Sequence, residues 1–155
     1  MPNGYHPKPS RWLSIGSIST GTLRTEDLLD AFLSAAENLK LTRQERATVR
    51  GVRKRYEEEQ DSEEAGYDLE EVTTILENHA PDFCYFGTLE GDGANFGCWP
   101  SWDAIDYAAH DGTLARSSAL PADGGVGHYL DVNDHGNATL YRRAGNRWVE
   151  VWSVV

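Results

Sequence analysis

The sequence has little cysteine and no long run of apolar residues. Of its 155 residues only two are cysteines, Cys84 and Cys98. No apolar run approaches the roughly 20 residues that a membrane-spanning helix needs, and no N-terminal stretch combines a basic start, an apolar centre and a small-residue cleavage site. A chain with few cysteines and no export signal is typical of a reducing compartment. We therefore expect a cytoplasmic protein without a membrane partner.

Basic residues are scarce relative to acidic ones. The chain has 14 Lys and Arg against 25 Asp and Glu, and its formal net charge is −11. Binding to nucleic acid depends on Lys and Arg, because these residues displace the counterions of the phosphates. Direct nucleic-acid binding through the bulk charge of the chain is therefore disfavoured, and the charge fits a protein with a basic partner or with none.

The apolar and aromatic residues that are present suffice for one core. Hydrophobic residues make up 39% of the chain, with five Trp and seven Tyr. Residues 1–24 hold three of the six prolines and the polar run SIGSISTGT, and they predict an extended N-terminal arm. Residues 25–155 predict a single α+β domain, with helices over 25–80 and a sheet over 83–155.

Three helices are predicted in the N-terminal half. Apolar residues at helical spacing predict a first helix that has Thr25 as its N-cap. Thr42 and Glu45 have the spacing of a capping box and open a polar second helix. The third helix is predicted to begin near Asp68 and to end before Pro81, because the residue before a proline is disfavoured in helical conformation.

Strand-like patterns follow from residue 83 onward. The segments FCYFGTL and NFGCW predict a hairpin, and GHYLDV, ATLYR and RWVEVWSV predict a three-stranded meander. Between them, Ser101 and Gly112 bound a short helix, and LARSSALPADGG is predicted to be a loop. The predicted fold class is α+β, a helical N-terminal half packed on an antiparallel sheet of about five strands.

The segment EGDGANFGCW, which begins at Glu90, raises the question whether its glycines hold a ligand. Its spacing differs from the dinucleotide fingerprint, and no lysine follows the last glycine as in a P-loop. Only Glu90 and Asp92 offer carboxylates, which is too few for a calcium loop. A hairpin turn at Gly91 is favoured instead, because it places Cys84 opposite Cys98 and a phenylalanine opposite a phenylalanine.

The remaining candidates for chemistry are histidines beside aspartates at turns. None of the five histidines lies four residues from another or at zinc spacing from a cysteine. No G-x-S-x-G nucleophile elbow occurs. We therefore predict no catalytic residue, no metal ligand and no cofactor. An alternative stays open, in which Asp92, Asp134 and His135 converge at one end of the sheet and bind a metal ion.

Charge is strongly segregated along the chain. Residues 57–92 carry thirteen Asp and Glu and no Lys or Arg, whereas residues 1–56 carry ten Lys and Arg and five Asp and Glu. The basic residues just before the acidic segment are spaced to line one face of a helix. An acidic ridge of this kind can imitate a phosphate backbone and occupy a cationic groove on another protein.

The charge pattern gives a set of candidate partner-binding residues. Simple pairing between neighbouring helices, or a solvated helix face, would explain the same pattern without any partner, and this alternative stays open. The acidic candidates are Glu57, Glu58, Glu59, Asp61, Glu63, Glu64, Asp68, Glu70 and Glu71. The basic candidates for a second contact are Arg46, Arg50 and Lys54.

Three motifs resemble one family of proteins. The patterns GTLR.EDLL, CYFG..EGDG..FG.WP and VNDHGN.TLY match residues 21–29, 84–100 and 132–141. They resemble small acidic accessory proteins of phages and integrative elements of Gram-negative bacteria. The resemblance implies a mobile element and a bacterial host cytoplasm, and it carries over no catalytic residue. By analogy, such accessory proteins are often inhibitors of host defence, including anti-CRISPR and anti-restriction proteins.

The sequence thus predicts a non-enzymatic inhibitor that binds a basic, nucleic-acid-binding host complex, such as a CRISPR effector, through an acidic surface. A first alternative is a small-molecule or metal-binding module, which could be enzymatic, that uses the turns at Asp92 and Asp134–His135. A second alternative is a phage structural or assembly protein, for which the C-terminal segment WVEVWSVV would supply an oligomer edge.

Overall fold

The structure is a computed structural model that describes residues 9–58, 61–116 and 126–155. Helices and strands both form in these residues, and the α+β class is confirmed. In chain order the elements are β1 (Gly16–Ser19), α1 (Thr25–Glu37), α2 (Arg43–Glu57), α3 (Ser62–Asn78), β2 (Cys84–Leu89), β3 (Asp92–Pro100), α4 (Trp102–Asp111), β4 (Leu114–Arg116), β5 (His128–Val132), β6 (Ala138–Ala144) and β7 (Arg147–Val154).

The strands form two sheets, whereas the sequence predicts one. The first sheet has the order β1-β3-β2, and the second has the order β4-β5-β6-β7. The two additional strands are β1, which lies in the predicted arm, and β4, which lies in the predicted loop. β4 is only three residues long and pairs in parallel with β5. Such pairing depends on a distant partner, so the local pattern does not reveal it. Residues 117–125 of the predicted loop lie outside the described residues.

The chain divides into two compact units. The first comprises Met1–Ala80 and Phe86–Cys98, and the second comprises Pro81–Tyr85 and Trp99–Val155. Within the first unit, β1 pairs antiparallel with β3. The division into an arm over 1–24 and one domain over 25–155 stays a prediction, as does the pairing of the two cysteines.

The core of the first unit is built on α1. This helix buries five apolar residues at helical spacing, as the sequence predicts, because that spacing places them on one face. The ring of Phe32 meets Phe86 and Phe96 edge to face, with centroids 5.0 and 5.6 Å apart. These contacts place α1 against the three-stranded sheet. The buried residues of α1 are Leu28, Leu29, Phe32, Leu33 and Ala36.

The helix starts agree with the sequence only in part. The capping box at Thr42 and Glu45 is confirmed by two reciprocal hydrogen bonds of 3.1 and 2.9 Å. Thr25 is the first residue of α1 rather than its N-cap, which is Arg24. The predicted start of α3 at Asp68 is wrong: α3 begins at Ser62. Its first two turns are polar and acidic, so apolar periodicity detects the helix too late.

The second unit contains α4 and the four-stranded sheet. Ser101 caps α4, and Gly112 follows its last residue with a left-handed φ of 83°, so both predicted ends are confirmed. β5, β6 and β7 form the predicted antiparallel meander. Across β5 and β6, Tyr129 and Tyr141 are directly paired and their rings stack at 4.5 Å.

None of the helices in the described part of the chain is long and apolar enough to cross a membrane.

Candidate functional site

The predicted acidic segment includes the end of α2 and most of α3, and most of its carboxylates in these helices are exposed. Glu59, which belongs to the predicted set, lies outside the described residues. We define the acidic surface as the exposed candidates within the described residues, namely Glu57, Glu58, Asp61, Glu63, Glu64, Glu70 and Glu71.

Asp68 does not belong to the acidic surface, which corrects the sequence prediction. The residue is only 4% exposed. Its two carboxylate oxygens accept hydrogen bonds from Nε and one terminal nitrogen of Arg55, at 3.0 and 2.8 Å. The hydrogen bond from Arg55 to Asp68 raises the pKa of Arg55, and it outweighs the opposing effect of burial. Asp68 therefore ties α3 to α2 and is not available to a partner.

Arg53 links α2 to α1 through side-chain hydrogen bonds, as Arg55 and Asp68 link α2 to α3. Its guanidinium donates to Glu37 at 2.6 Å and to Asp30 at 2.9 Å. The hydrogen bond to Glu37 is the largest of the effects that raise the pKa of Arg53. Pairing between neighbouring helices, which was the alternative explanation of the charge pattern, thus accounts for Arg53, Arg55 and Asp68.

The basic candidates Arg46, Arg50 and Lys54 behave differently. All three are exposed and lie on α2 at intervals of four residues, so they share one face of the helix. Arg46 donates to the backbone carbonyl of Leu41 at 3.4 Å. Among the described residues, no carboxylate lies within 4.0 Å of these three cations. These three residues form an exposed basic stripe on α2.

The carboxylates differ in what they do for their own helices. Asp61, Glu63 and Glu64 lie at the N-terminus of α3, where negative charge is favourable to the helix dipole. Glu57 is the last residue of α2 and Glu58 is its C-cap, where negative charge is unfavourable. Helix stability therefore explains the first three residues but does not explain Glu57 and Glu58.

An exposed tyrosine lies at the centre of the α3 part of the acidic surface. Tyr67 is 63% exposed. It is three or four residues from Glu63, Glu64, Glu70 and Glu71, which are the helical spacings that bring side chains together on one face. Tyr67 is not among the residues predicted from the sequence, although this spacing is visible there.

A cleft of about 810 Å³ opens between the ends of three helices of the first unit. The first turn of α1, the last turn of α2 and the first turn of α3 form its walls. Burial is the largest cause that raises the pKa of Tyr56, which lies in one wall. The cleft adjoins the acidic surface through Glu57, and its lining residues are Arg24, Thr25, Glu26, Leu29, Tyr56, Glu57, Ser62 and Ala65.

The turns that offered a metal site have structural roles. The carboxylate of Asp92 accepts a hydrogen bond from the backbone N–H of Ala94 at 3.2 Å, and Gly91 adopts a left-handed φ of 85°. In the later turn, the side chain of Asn133 accepts from the backbone N–H of His135 at 2.9 Å. In the described ranges, no group of three or more His, Cys, Asp or Glu residues could hold a metal ion.

A polar cluster in the second unit was not anticipated from the sequence. His128 and Arg142 are directly opposite one another on β5 and β6. The carboxylate of Asp82 lies 3.0 Å from Nε2 of His128 and 3.6 Å from a guanidinium nitrogen of Arg142. The indole of Trp152 donates to the backbone carbonyl of Asp82 at 2.8 Å. The cluster fixes the turn before β2, where Phe83 has a positive φ of 59°.

When the chain is compared with known proteins, no family model, no curated protein and no solved structure matches it.

Proposed function

We propose that this chain is a non-enzymatic inhibitor from a mobile element that binds a nucleic-acid-binding defence complex of a bacterial host, in the manner of an anti-CRISPR protein. The observation that carries the proposal is the position of Glu57 and Glu58. They add negative charge where it destabilises their own helix, and in the described residues neither has an ion-pair partner. Helix stability does not explain these two carboxylates, whereas a binding partner does.

The partner that fits this surface is a basic groove that ordinarily holds a nucleic acid. Binding in such a groove depends more on negative charge than on shape, so a helix with exposed carboxylates competes with the phosphates of the nucleic acid. The contact is largely electrostatic, and added salt weakens it because the Debye length falls to about 3 Å at 1 M ionic strength.

Tyr67 gives the acidic surface an anchor that charge alone lacks. Aromatic residues and arginine dominate the energetics of protein interfaces, and an arginine of the partner could stack on the tyrosine ring while its guanidinium pairs with a neighbouring glutamate. The basic stripe on α2 supplies a second contact, to an acidic region of the same partner.

The resemblance of residues 21–29, 84–100 and 132–141 to accessory proteins of phages and integrative elements supports the biological setting. Inhibitors of CRISPR or restriction complexes are encoded in that setting. The resemblance and the charge arrangement are independent, since the matched motifs lie outside α2 and α3.

The experiment that tests the proposal is a pull-down with the tagged full-length protein from a bacterial lysate that contains CRISPR and restriction complexes, with nuclease treatment and a salt series. We expect a stoichiometric, nucleic-acid-binding partner that dissociates as salt rises. The double variant Glu57→Lys, Glu58→Lys should lose this partner.

The matched control is the double variant Asp103→Lys, Asp111→Lys, which makes the same change in net charge on exposed residues of α4. It should retain the partner. If both variants lost the partner equally, net charge alone would explain the effect. If the Glu57 and Glu58 variant still captured the partner as the wild type does, the proposed surface would be refuted.

A further inference from the structure

Two helices of the first unit carry exposed rows of opposite charge that have the same spacing. On α2, the three residues of the basic stripe lie at intervals of four residues. On α3, Glu63 and Glu71 lie four residues before and four residues after Tyr67, and we call these three residues the acidic row. At a rise of about 1.5 Å per residue, each row is about 12 Å long, with its middle residue about 6 Å from either end. The two rows therefore match each other position by position.

The charged residues of both rows have no ion-pair partner inside the described part of the chain. No carboxylate lies within 4.0 Å of the basic stripe, and no cation lies within 4.0 Å of Glu63 or Glu71. The cations that join α2 to its neighbours are others, Arg53 and Arg55. Tyr67 is 63% exposed. Both rows are thus accessible to another molecule.

A second copy of the chain offers the complement of each row. When the basic stripe of one copy lies along the acidic row of the other, Arg50 comes opposite Tyr67, and each end cation comes opposite a glutamate. A guanidinium over an aromatic ring is a favourable cation–π contact, and the ends form charge-assisted hydrogen bonds. The match holds for either direction of the two helices, because both ends of each row carry the same charge.

Both rows lie on neighbouring helices, since Arg55 and Asp68 join α2 to α3. A copy that presents its basic stripe therefore presents its acidic row on the adjacent helix. We propose that two copies form a two-fold dimer, in which the basic stripe of each copy binds the acidic row of the other. A two-fold contact is made twice and closes the assembly at two copies. The dimer does not depend on a host partner, but it covers part of the acidic surface, so the two compete.

The net charge of −11 per copy opposes this dimer, and salt controls the balance. At an ionic strength of about 0.1 M the Debye length is about 10 Å, so repulsion between distant parts of the two copies is largely screened. Opposite charges in direct contact still attract at that ionic strength. At about 1 M the Debye length is about 3 Å, and the contact itself weakens. The dimer should therefore be stable at the lower of these two salt concentrations and dissociate at the higher one.

Sedimentation equilibrium of the purified full-length protein tests the proposal at about 0.1 M and about 1 M salt. We expect a monomer–dimer equilibrium that shifts to monomer at the higher salt. Two variants reverse one row each: Arg46→Glu with Lys54→Glu, and Glu63→Lys with Glu71→Lys. Each variant alone should raise the dimer dissociation constant at least about tenfold, because like charges then face each other. An equimolar mixture of the two should form a heterodimer, since the two reversed rows fit each other and the two native rows do as well.

The control for net charge is the double variant Arg116→Glu, Arg147→Glu, which changes two exposed cations of the second unit and should dimerise like the wild type. Circular dichroism checks that each variant folds. Where a reversed variant does not fold, Tyr67→Ala serves instead and should raise the dissociation constant about fivefold. A wild type that stays monomeric up to about 1 mM would overturn the proposal. So would assemblies larger than a dimer, folded variants that do not form the heterodimer, or an unchanged dissociation constant in Tyr67→Ala.

Discussion

Arg55 and Asp68 form an ion pair with two hydrogen bonds that joins α2 to α3. The carboxylate of Asp68 accepts at 3.0 and 2.8 Å, and its side chain is 6% exposed, whereas that of Arg55 is 38% exposed. The pair consists of one residue from the basic segment and one from the acidic segment. The charge pattern of the sequence therefore has two origins, internal pairing for these residues and an exposed surface for their neighbours.

Substitution of Asp68 should reduce stability. Asp68→Ala removes both hydrogen bonds and leaves the guanidinium of Arg55 without its buried partner, so we expect a loss of about 1–3 kcal/mol in the free energy of unfolding. Urea unfolding measures it. Glu70→Ala, at an exposed position of the same helix, is the control and should stay within about 0.5 kcal/mol of the wild type. Equal effects of the two substitutions would contradict a structural role for Asp68.

Charge reversal at the end of α2 should not destabilise the protein. Glu57→Lys and Glu58→Lys replace carboxylates at a helix C-terminus with cations, which the helix dipole favours by about 0.3–1 kcal/mol each. We expect an equal or higher midpoint of urea unfolding at low salt. Glu63→Lys, in the first turn of α3, reverses a favourable charge and should lower the midpoint. A lower midpoint for the Glu57 and Glu58 variants would show that these carboxylates stabilise the fold.

Removal of the Tyr67 side chain should separate binding from folding. Because the residue is 63% exposed, Tyr67→Ala should change the free energy of unfolding by no more than about 0.5 kcal/mol. If Tyr67 anchors the acidic surface, affinity for the captured partner should fall at least about tenfold. Titration calorimetry with the purified partner measures this. Tyr107→Ala is the control, since Tyr107 is 73% exposed on α4, and it should bind like the wild type.

The capping box of α2 should make stability depend on pH through Glu45. Burial by itself raises the pKa of this carboxyl, but the hydrogen bonds from the Thr42 backbone and from His79, together with the charge of His79, lower it below its ordinary 4.5. A carboxyl with a lowered pKa contributes stability that is complete above the ordinary value and is lost as pH falls through the lower folded-state value.

The comparison that checks this dependence is between the wild type and Glu45→Gln, by urea unfolding from about pH 6 to about pH 3. The wild type should be more stable at the upper end, by about 1 kcal/mol. That advantage should shrink as the pH falls and Glu45 takes up a proton. A difference that stays constant over this range would mean that the carboxylate charge contributes nothing.

Features that depend on neighbouring residues could be predicted from the sequence. The capping box at Thr42, the limits of α4 at Ser101 and Gly112, and the three strands of the meander follow from turn residues and from local periodicity. The α+β class follows from these elements. Each signal lies within a few residues of the structure that it specifies, so these features can be predicted from a single sequence without homologous sequences.

Features that depend on distant partners could not be predicted. Nothing local to Asp68 shows that Arg55 will bury it, and the polar first turns of α3 conceal a helix start six residues before that aspartate. β4 forms only because β5 lies beside it. The oxygen atoms next to the two ring nitrogens of His79 belong to Arg11 and Glu45, at separations of 68 and 34 residues along the chain. Such contacts can be identified only from the folded structure.

The contact between β1 and β3 has a consequence for tracing this fold among other sequences. At Gly97, a β-carbon would overlap the backbone carbonyl oxygen of Gly16 on the neighbouring strand. A homologue that keeps the N-terminal strand at this edge must therefore keep glycine there. A homologue with any other residue at that position has to displace the strand. The identity of one residue thus becomes a marker of whether a distant sequence inherits the three-stranded sheet.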